Sequence, residues 1–338
     1  MPKAVRMADI AARMGVSTVT VSKALSGKDG VSETLREKIR QTAVEIGYIK
    51  TFGGAKQVNR SGTGNIGIII PYHFVEKQNS FYWDMYERVI SRLMSNDYYG
   101  ILEVLRQEDE GRNTPPRLLQ EGKTDGVIVI GQLRPEYHRY LNSVSTAPIM
   151  FLDSYDSTNG NDSIISDGYY GMYAVTNHLL SQGHTDVYYV GTLGATSSIS
   201  DRYYGFCRAM SEQNLPVTEN MVIPDRDKEG FLALTLPERL PTAFVCNCDQ
   251  TAYELILMLK AKGVRMPEDV SIVGFDNYMW SDISDPTITT YSVDMEGMAR
   301  SCVDRLIRKI HNKSYLPSLK VVSGQVVVKD SVMPIARK

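Results

Sequence analysis

Apolar residues near the start of the chain recur with the spacing of three short amphipathic helices. The first helix has an apolar side made of Met7, Ile10, Ala11 and Met14. Gly15 can end that helix in a left-handed turn, and Ser17 is a suitable N-cap for the second. The third helix follows Ser32, and its apolar face is made of Leu35, Ile39, Ala43 and Ile46. Two helices joined by a tight turn, with a third that completes the core, predict a helix-turn-helix.

The second helix has two different sides. Its small apolar stripe consists of Val21, Ala24 and Leu25. Another side carries short, mostly polar or basic side chains, at Thr18, Val19, Ser22 and Lys23. Hydroxyl groups and a lysine can contact base edges in the major groove of DNA. A small helical bundle with no DNA partner can have the same pattern, so the charge of this region matters.

From residue 66 onward, apolar runs that are typical of buried strands alternate with helical periodicity. The predicted strands are Ile66–Ile70, Gly100–Leu105, Gly126–Ile130, Pro148–Leu152, Val187–Gly191, Thr242–Cys246, Val270–Phe275 and Gln325–Val332. The predicted helices include Trp83–Asn96, Gly168–Gln182, Ser200–Gln213 and Asp249–Gly263. Repeated βα units predict parallel sheets in an α/β fold. This part of the chain is too long for one sheet core, so we expect two subdomains.

Composition and charge narrow the class of protein. The 338 residues are 43% hydrophobic and 22% charged, which excludes a disordered chain. We find no apolar stretch of ~18 residues and no apolar signal-peptide core, so we expect a cytoplasmic protein with no membrane partner. Residues 1–60 hold eleven Lys and Arg against five Asp and Glu, whereas the remainder is acidic. A basic head on an acidic body predicts a polyanionic partner, and a basic surface without function is the alternative.

Three runs in the head carry a family resemblance: Met7–Gly27, Gly30–Ile39 and Glu45–Tyr48. They are similar to the opening of the lactose/galactose repressor (LacI/GalR) family of transcriptional regulators. The resemblance implies that the base-facing residues are Thr18, Val19, Ser22 and Lys23. It also implies that the phosphate backbone is contacted by Ser17, Thr20, Ser32, Thr34 and Tyr48.

Residues 50–65 are rich in Gly, Ser, Thr and Asn and form a predicted linker. In the family this segment is a hinge helix that inserts a leucine into the minor groove and bends the DNA. The resemblance implies that Lys56 and Val58 take this place, with valine where leucine is usual. Gly53 and Gly54 each weaken a helix by about 1 kcal/mol relative to alanine, so a flexible tether is the alternative.

Further motifs extend the resemblance over nearly the whole chain. They are Asp167–Leu180 with Gly183-His184, Asp201–Phe206, Pro267–Asn277 and Asp285–Thr290. They imply a periplasmic-binding-protein-like body, in which two α/β subdomains with parallel sheets close on a ligand. The family's chain crosses between the subdomains three times, and we expect the crossings near residues 160, 292 and 323. The predicted domains are a helix-turn-helix at 1–49, a linker at 50–65, a first subdomain at 66–160 plus 293–322, and a second at 161–292 plus 323–338.

Ligands of such folds bind in the crevice at the carboxyl ends of the strands. Asp153 and Asp276 each follow a predicted strand, and both match effector-contacting positions of the family. Arg202 matches the family's pocket arginine, which binds hydroxyl groups through its fork of donors. A structural salt bridge is the alternative for Asp276 and Arg202, and a helix cap or loop position is the alternative for Asp153.

Four further residues lie at family positions near the effector. Phe81 and Tyr82 follow the loop after the first strand, where aromatic rings pack against a sugar or against the core. Arg226 aligns loosely with a lid position that is usually aromatic. If it faces the ligand it favours an acidic effector, and otherwise it is an exposed loop arginine. Cys248 stands where the family usually has an asparagine that often bonds the effector, and cysteine is a poor donor.

No motif indicates catalysis, a metal or a cofactor. Gly62–Gly67 fits G-x-G-x-x-G, but its glycines precede a strand instead of following one, so we expect no dinucleotide. Cys246 and Cys248 lack a second pair at metal-ligand spacing, and nothing resembles a catalytic triad or a phosphate-binding loop.

The sequence therefore predicts a DNA-binding transcription regulator, in the first instance a repressor, whose operator affinity is controlled by a sugar-like effector. One recognition helix covers only a few base pairs, so we expect a homodimer on a near-palindromic operator. No leucine-heptad tail follows the last strand pattern, which favours a dimer over a tetramer. A regulator of the same family that answers to a protein co-effector is the alternative. A solute-binding protein for transport would have a signal peptide and no basic head.

Overall fold

The computed structural model describes residues 5–46, 48, 62–76, 80–120, 122–155, 162–312 and 314–335. The chain divides into two compact units, residues 1–60 and 61–338, which we call the head and the body. Within these described ranges, no helix combines the length and the apolar character needed to span a membrane.

The head contains three helices, α1 (Met7–Met14), α2 (Thr18–Leu25) and α3 (Glu33–Glu45). Its core is formed by Ile10, Ala11, Val21, Ala24, Ile39 and Ala43. Gly15 ends α1 with a φ of 63°, and the hydroxyl of Ser17 caps α2 by accepting the N–H of Thr20 at 3.1 Å. The predicted helix-turn-helix is thus confirmed in its helices, its turn and its core.

The body alternates strands and helices. Its strands are β1 (Asn65–Pro71), β2 (Tyr99–Leu105), β3 (Gly126–Ile130), β4 (Ile149–Leu152), β5 (Ser163–Ser166), β6 (Val187–Val190), β7 (Val222–Ile223), β8 (Ala243–Cys246), β9 (Ser271–Asp276), β10 (Thr289–Ser292), β11 (Leu319–Val322) and β12 (Gln325–Val327). Its helices are α4 (Tyr72–Val75), α5 (Phe81–Met94), α6 (Gln107–Gly111), α7 (Arg117–Gln120), α8 (Pro135–Val144), α9 (Gly168–Ser181), α10 (Ser197–Glu212), α11 (Asp249–Ala261), α12 (Trp280–Ile283) and α13 (Met295–His311). A 3-10 helix spans Glu219–Met221.

The strands form two six-stranded sheets, with the orders β11-β5-β4-β3-β1-β2 and β12-β10-β9-β8-β6-β7. Every pairing is parallel except that of β12 with β10. Central strands such as β3 and β9 are buried along their whole length, as expected for strands that are covered on both faces. We call the parts built on the first and second sheets the first and second subdomains. The predicted two-sheet α/β body is therefore confirmed.

The chain changes sheet three times, after β5, after β10 and between β11 and β12. The prediction of a first crossing near residue 160 is wrong. Ser163–Ser166 pairs in parallel with both β4 and β11, so it still belongs to the first sheet. The crossing follows at Asp167, whose side chain caps α9 by accepting the N–H of Tyr170 at 3.1 Å.

Candidate functional site

The head presents one polar side of α2 to solvent. The four residues predicted to face DNA bases, Thr18, Val19, Ser22 and Lys23, are all exposed. Val19 is 63% exposed although it is apolar, so packing in the core of the head does not explain why an apolar residue is present at this position. The opposite side of α2 is fully used by the core, through Val21 and Ala24. This leaves one face of the helix available to a partner.

The residues predicted to contact phosphate lie at the start of α2, on α2, at the start of α3 and just after α3. Ser17, Ser32 and Thr34 are exposed, and Thr20 and Tyr48 are partly buried. The hydroxyl of Ser32 accepts the N–H of Leu35 at 3.4 Å, which places Ser32 at the start of α3. The two hinge residues of the prediction, Lys56 and Val58, lie outside the described residues.

The body contains a cavity of about 150 Å³ that both subdomains line. All residues predicted to bind the effector line it: Phe81, Tyr82, Asp153, Arg202, Arg226, Cys248 and Asp276. They come from distant segments of the chain. Asp153, Cys248 and Asp276 lie at or just after the carboxyl ends of β4, β8 and β9, and these strand ends meet at the cavity. The location agrees with the rule for ligand sites in parallel sheets.

Arg202 and Asp276 form a buried ion pair in the cavity wall. The Arg202 Nη2 lies 3.2 Å from Asp276 Oδ1, and Nη1 donates to the carbonyl oxygen of Asn247 at 2.7 Å. The guanidinium also stacks 3.9 Å from the centre of the Phe275 ring. Arg202 is only 5% exposed, and its Nε has no hydrogen-bond partner among the described residues. The arginine is thus both part of a salt bridge and a donor at the cavity.

Asp276 is held in an unfavourable environment for a carboxylate. Burial raises its pKa to about 7, although the charge of Arg202 opposes the increase. Its φ is 110°, a conformation that non-glycine residues rarely adopt. Backbone strain of this kind is concentrated at ligand sites, where the surrounding fold maintains it. Asp276 can therefore change protonation state within the physiological range.

Asp153 has a neutral partner. The hydroxyl of Tyr82 donates to Asp153 Oδ2 at 3.0 Å, and burial raises the pKa of both groups. Tyr82 also packs against Phe74 with a ring-centre distance of 4.2 Å. Phe81 reaches across the cavity to Tyr278, with ring centres 6.3 Å apart. Phe81 and Tyr82 therefore line the cavity and also pack on the core.

Cys248 and Arg226 lie side by side in the second subdomain. Cys248 is at the N-terminus of α11, and its Sγ is 3.2 Å from Thr251 Oγ1. Burial raises the pKa of the thiol, so it stays neutral. Arg226 keeps 22% of its side chain exposed and lines the cavity, which excludes the simple exposed-loop position.

Several lining residues were not predicted from the sequence. Asn247 is 1% exposed and donates from Nδ2 to Asp225 Oδ2 at 2.6 Å, while its carbonyl accepts from Arg202. It directly follows β8, so the strand-end rule could have found it. Tyr278 connects the subdomains by donating from its hydroxyl to the carbonyl of Ser80 at 3.2 Å. No local pattern marks such a contact. Among the described residues, no group of three or more His, Cys, Asp or Glu is placed to hold a metal ion.

Comparison with protein families finds a match to each unit. Residues 6–50 match the model of bacterial regulatory proteins of the lacI family. Residues 176–332 match a periplasmic binding protein-like domain. The chain is 27% identical over 330 residues to the HTH-type transcriptional repressor PurR of Vibrio campbellii, which covers 96% of this chain and 97% of that repressor. It is 26% identical over 335 residues to the PurR of Vibrio cholerae, with coverage of 97% and 98%.

Solved structures with the same fold include regulators with bound small molecules. A lac repressor dimer bound to operator and the anti-inducer ONPF has a TM-score of 0.70 at 20% identity, covering 98% of this chain and 100% of that chain. A complex of the regulator CelR with cellobiose has a TM-score of 0.69 at 19% identity, covering 97% and 99%. A LacI family regulator from Enterococcus faecium with bound ribose has a TM-score of 0.66 at 21% identity, covering 80% and 100%.

Proposed function

The chain belongs to the lacI family of bacterial regulatory proteins, and from that premise we propose that a sugar or sugar derivative sets its affinity for operator DNA. The family consists of DNA-binding transcriptional regulators and not of enzymes. Repression is the direction favoured by the PurR relatives, which are repressors. A solute-binding protein for transport would have no use for the head, so that alternative is dropped.

On the DNA side, α2 enters the major groove with its exposed face. The hydroxyls of Thr18 and Ser22 and the ammonium group of Lys23 read base edges, and Val19 contacts an apolar base surface. The surrounding serine, threonine and tyrosine hydroxyls contact phosphates and fix the position of the helix. Two heads in a homodimer bind the two halves of a near-palindromic site.

On the effector side, the observation that carries the proposal is the meeting of two polar pairs in one cavity. Arg202 with Asp276 and Tyr82 with Asp153 supply donors for the oxygens of a polyol and acceptors for its hydroxyl protons. Aromatic rings next to these pairs suit the apolar face of a sugar ring. The bound cellobiose and ribose of two structural neighbours support the same ligand class.

Control of DNA binding follows from the position of the cavity between the subdomains. Polar contacts connect the two subdomains, including the hydroxyl of Tyr155, which donates to Asp201 Oδ1 at 2.8 Å. A ligand that binds one closure state more tightly shifts the population toward that state. In a dimer this shift changes the spacing of the two heads, and coupling of roughly 1–3 kcal/mol is typical of such systems.

The test uses the full chain, a panel of mono- and disaccharides, and an operator selected from random duplex DNA. We expect at least one sugar to raise the melting temperature, because a ligand that binds the folded state stabilises it. The same sugar should change the affinity for the selected operator. If no member of the panel alters either quantity, control by a sugar is wrong.

The variant Asp276→Asn tests whether the effector binds in the described cavity. The amide keeps the shape of the side chain but changes its hydrogen bonding, and we expect sugar binding to weaken by about 1–3 kcal/mol. Operator affinity without sugar should stay the same. The control is Asp186→Asn, at a carboxylate whose partner Arg239 is on the surface. Unchanged sugar affinity in a folded Asp276→Asn protein would contradict the proposed site.

A further inference from the structure

Arg226 is fixed at the cavity wall by a short hairpin. Arg226 and Leu232 form an antiparallel bridge, and the N–H of Asp227 donates to the carbonyl of Phe231 at 2.9 Å. Asp227 Oδ1 closes the turn by accepting the N–H of Glu229 at 3.0 Å and that of Phe231 at 2.8 Å. The hairpin over Arg226–Leu232 therefore holds the arginine in place without help from a ligand.

The base of this hairpin is anchored in the second sheet. The hydroxyl of Thr192, just after β6, accepts the N–H groups of Asp225 and Arg226 at 2.9 and 2.8 Å. At the tip, a Cβ added to Gly230 would lie 3.6 Å from the ring of His73 in the first subdomain. The hairpin thus spans one end of the cavity.

The acidic neighbour of Arg226 is satisfied by other groups. Asp225 is completely buried and accepts hydrogen bonds from the N–H of Thr192 at 2.9 Å, Asn247 Nδ2 at 2.6 Å and Thr251 Oγ1 at 2.8 Å. The Arg226 Nε is 3.7 Å from Asp225 Oδ2 and has no hydrogen-bond partner among the described residues. Asp225 balances part of the charge of Arg226 but is not hydrogen-bonded to its guanidinium.

The outer end of the guanidinium lies beside a weak acceptor. The Arg226 Nη2 lies 4.0 Å from the Sγ of Cys248, a sulfur that accepts hydrogen bonds poorly. An oxygen acceptor in place of this thiol would accept a hydrogen bond from the Arg226 guanidinium. With cysteine at this position, the N–H donors of the guanidinium remain available to a ligand in the cavity. A guanidinium in partly buried surroundings is stabilised most by a carboxylate or phosphate, which it binds through two parallel hydrogen bonds.

The other buried charged groups among the described residues of the cavity lining have partners. Arg202 is paired with Asp276, and Asp153 accepts from Tyr82. Glu76, the remaining acidic residue of the lining, is exposed to solvent. The end of the cavity at Arg226 therefore carries a positive charge, and no carboxylate of the described residues is hydrogen-bonded to its fork.

The pKa of His73 is also affected by the positive charge of Arg226. Its pKa is lowered to about 4 by burial and by the charges of Arg226 and Arg134. The imidazole is therefore neutral at physiological pH, and the positive charge at this end of the cavity comes from Arg226. Its ring forms the first-subdomain side of this end of the cavity.

We propose that the effector is an anionic sugar derivative, whose carboxylate or phosphate is bound by the fork of Arg226 while its hydroxyls contact Arg202 and Asp276. The proposal rests on the proposed control by a sugar and names the class of sugar. A neutral sugar would leave the fork of Arg226 without a partner. An oxyanion on the same ring fills it and keeps the polar contacts at the other end.

The experiment measures binding of matched probes to the full chain by calorimetry. The sets are glucose, glucuronate and glucose 6-phosphate; galactose, galacturonate and galactose 6-phosphate; and ribose with ribose 5-phosphate. We expect one anionic probe to bind at least about tenfold more tightly than its neutral parent. The uronates and the phosphates decide which oxyanion is recognised.

Arg226→Gln tests the role of the fork, and Arg239→Gln is the matched control. Arg239 is exposed and pairs with Asp186, so its replacement removes the same charge far from the lining residues. The advantage of the anionic probe should vanish in Arg226→Gln and persist in Arg239→Gln, with both variants folded by circular dichroism. An advantage that survives in Arg226→Gln would overturn the proposal.

The outcomes separate this proposal from the one on which it rests. If a neutral sugar binds as tightly as each of its anionic counterparts, the proposal of control by a sugar stands and the proposal of an anion site is wrong. Binding of no probe in any set contradicts control by a sugar, and the anion site falls with it.

Discussion

Burial and neighbouring charges determine the protonation state of the Asp276 carboxyl, whereas a surface carboxyl is ordinarily charged at neutral pH. The residue ends β9, is 9% exposed and lies between the charges of Arg202 and Asp153. Burial favours the protonated form, and a ligand that donates to the carboxylate favours the charged form. The free energy of unfolding of the ligand-free protein should therefore depend on the protonation of Asp276.

Asp276→Asn should remove a pH dependence of stability. The pKa of Asp276 rises from 3.8 to about 7 in the folded protein, so the native state holds a proton that the unfolded chain releases. The stabilising contribution is full below about pH 4 and is lost as the pH rises through about 7. Urea unfolding from about pH 4 to 7 should favour the variant increasingly, by at most about 1.4 kcal/mol per pH unit, and the difference should level off above about pH 7.

Other groups titrate in this range, and the comparison of two proteins cancels them. The pKa of His73 is lowered to about 4, so its contribution is lost as the pH falls, opposite to that of Asp276. This contribution is present in both proteins. A difference in the free energy of unfolding that stays constant with pH would show that Asp276 remains charged.

Sequence reasoning locates single residues better than it pairs them. Asp153 and Asp276 follow strands, and the strand-end rule brings both to the cavity that they line. Their partners, Tyr82 and Arg202, come from helices far away in the chain, so no local pattern contains the pairs. The raised pKa values depend on burial by both subdomains and are equally invisible in the sequence.

At the scale of elements, α2 is the clearest case of one helix with two separate tasks. Its buried side completes the core of the head, and its exposed side is available to a partner, which we predict to be DNA. Lys23 lies on the exposed side of α2 itself, whereas Tyr48 follows α3 and is partly buried. The two positions should therefore contribute differently to recognition.

Lys23→Ala should flatten the preference for the operator over other sequences, since a good base contact discriminates by roughly 1–3 kcal/mol. Tyr48→Phe should weaken binding to all sequences alike, as loss of a phosphate contact does. Titration of both variants with operator and scrambled duplexes measures this. Lys38→Ala removes the same charge from α3 and is the control. Equal loss of preference in Lys23→Ala and Tyr48→Phe would exclude this assignment of the face.

The elements that the sequence did not predict share a physical reason. β10 carries Thr289 and Thr290, which are fully buried because hydrogen bonds such as that of the Thr289 hydroxyl to the carbonyl of Lys329 satisfy them. β11 is an edge strand and stays largely exposed, so it lacks an apolar run. Short strands of these kinds are defined by pairing with distant neighbours. The central strands are mostly apolar, and the sequence predicts them.

At the scale of the whole molecule, the first sheet ends in an edge that a second copy can cover. β2 is its outer strand, and Tyr99 and Met94 are 69% and 60% exposed near that edge. Ile101 is on the same strand and is also exposed. Exposed apolar side chains on an edge strand favour association.

Light scattering should show a dimer at micromolar concentration. Ile101→Glu places a charge on the exposed edge and should raise the dissociation constant at least about tenfold. Tyr204→Glu is the control, because Tyr204 is an exposed aromatic residue of the second subdomain. A monomer at micromolar concentration in the unmodified chain would contradict the homodimer and the near-palindromic operator with it.

The three changes of sheet have a consequence for the order in which the protein is made. The head has its own core within the first 48 residues, whereas the first sheet lacks α13 and β11 until residue 322 has been added, and the second lacks β12 until residue 327. At translation rates of about 5–20 residues per second, the interval is roughly a quarter of a minute to a minute. During that time a nascent chain carries a DNA-binding module with no finished sensor. Regulation by a ligand is thus the last property that the growing polypeptide acquires.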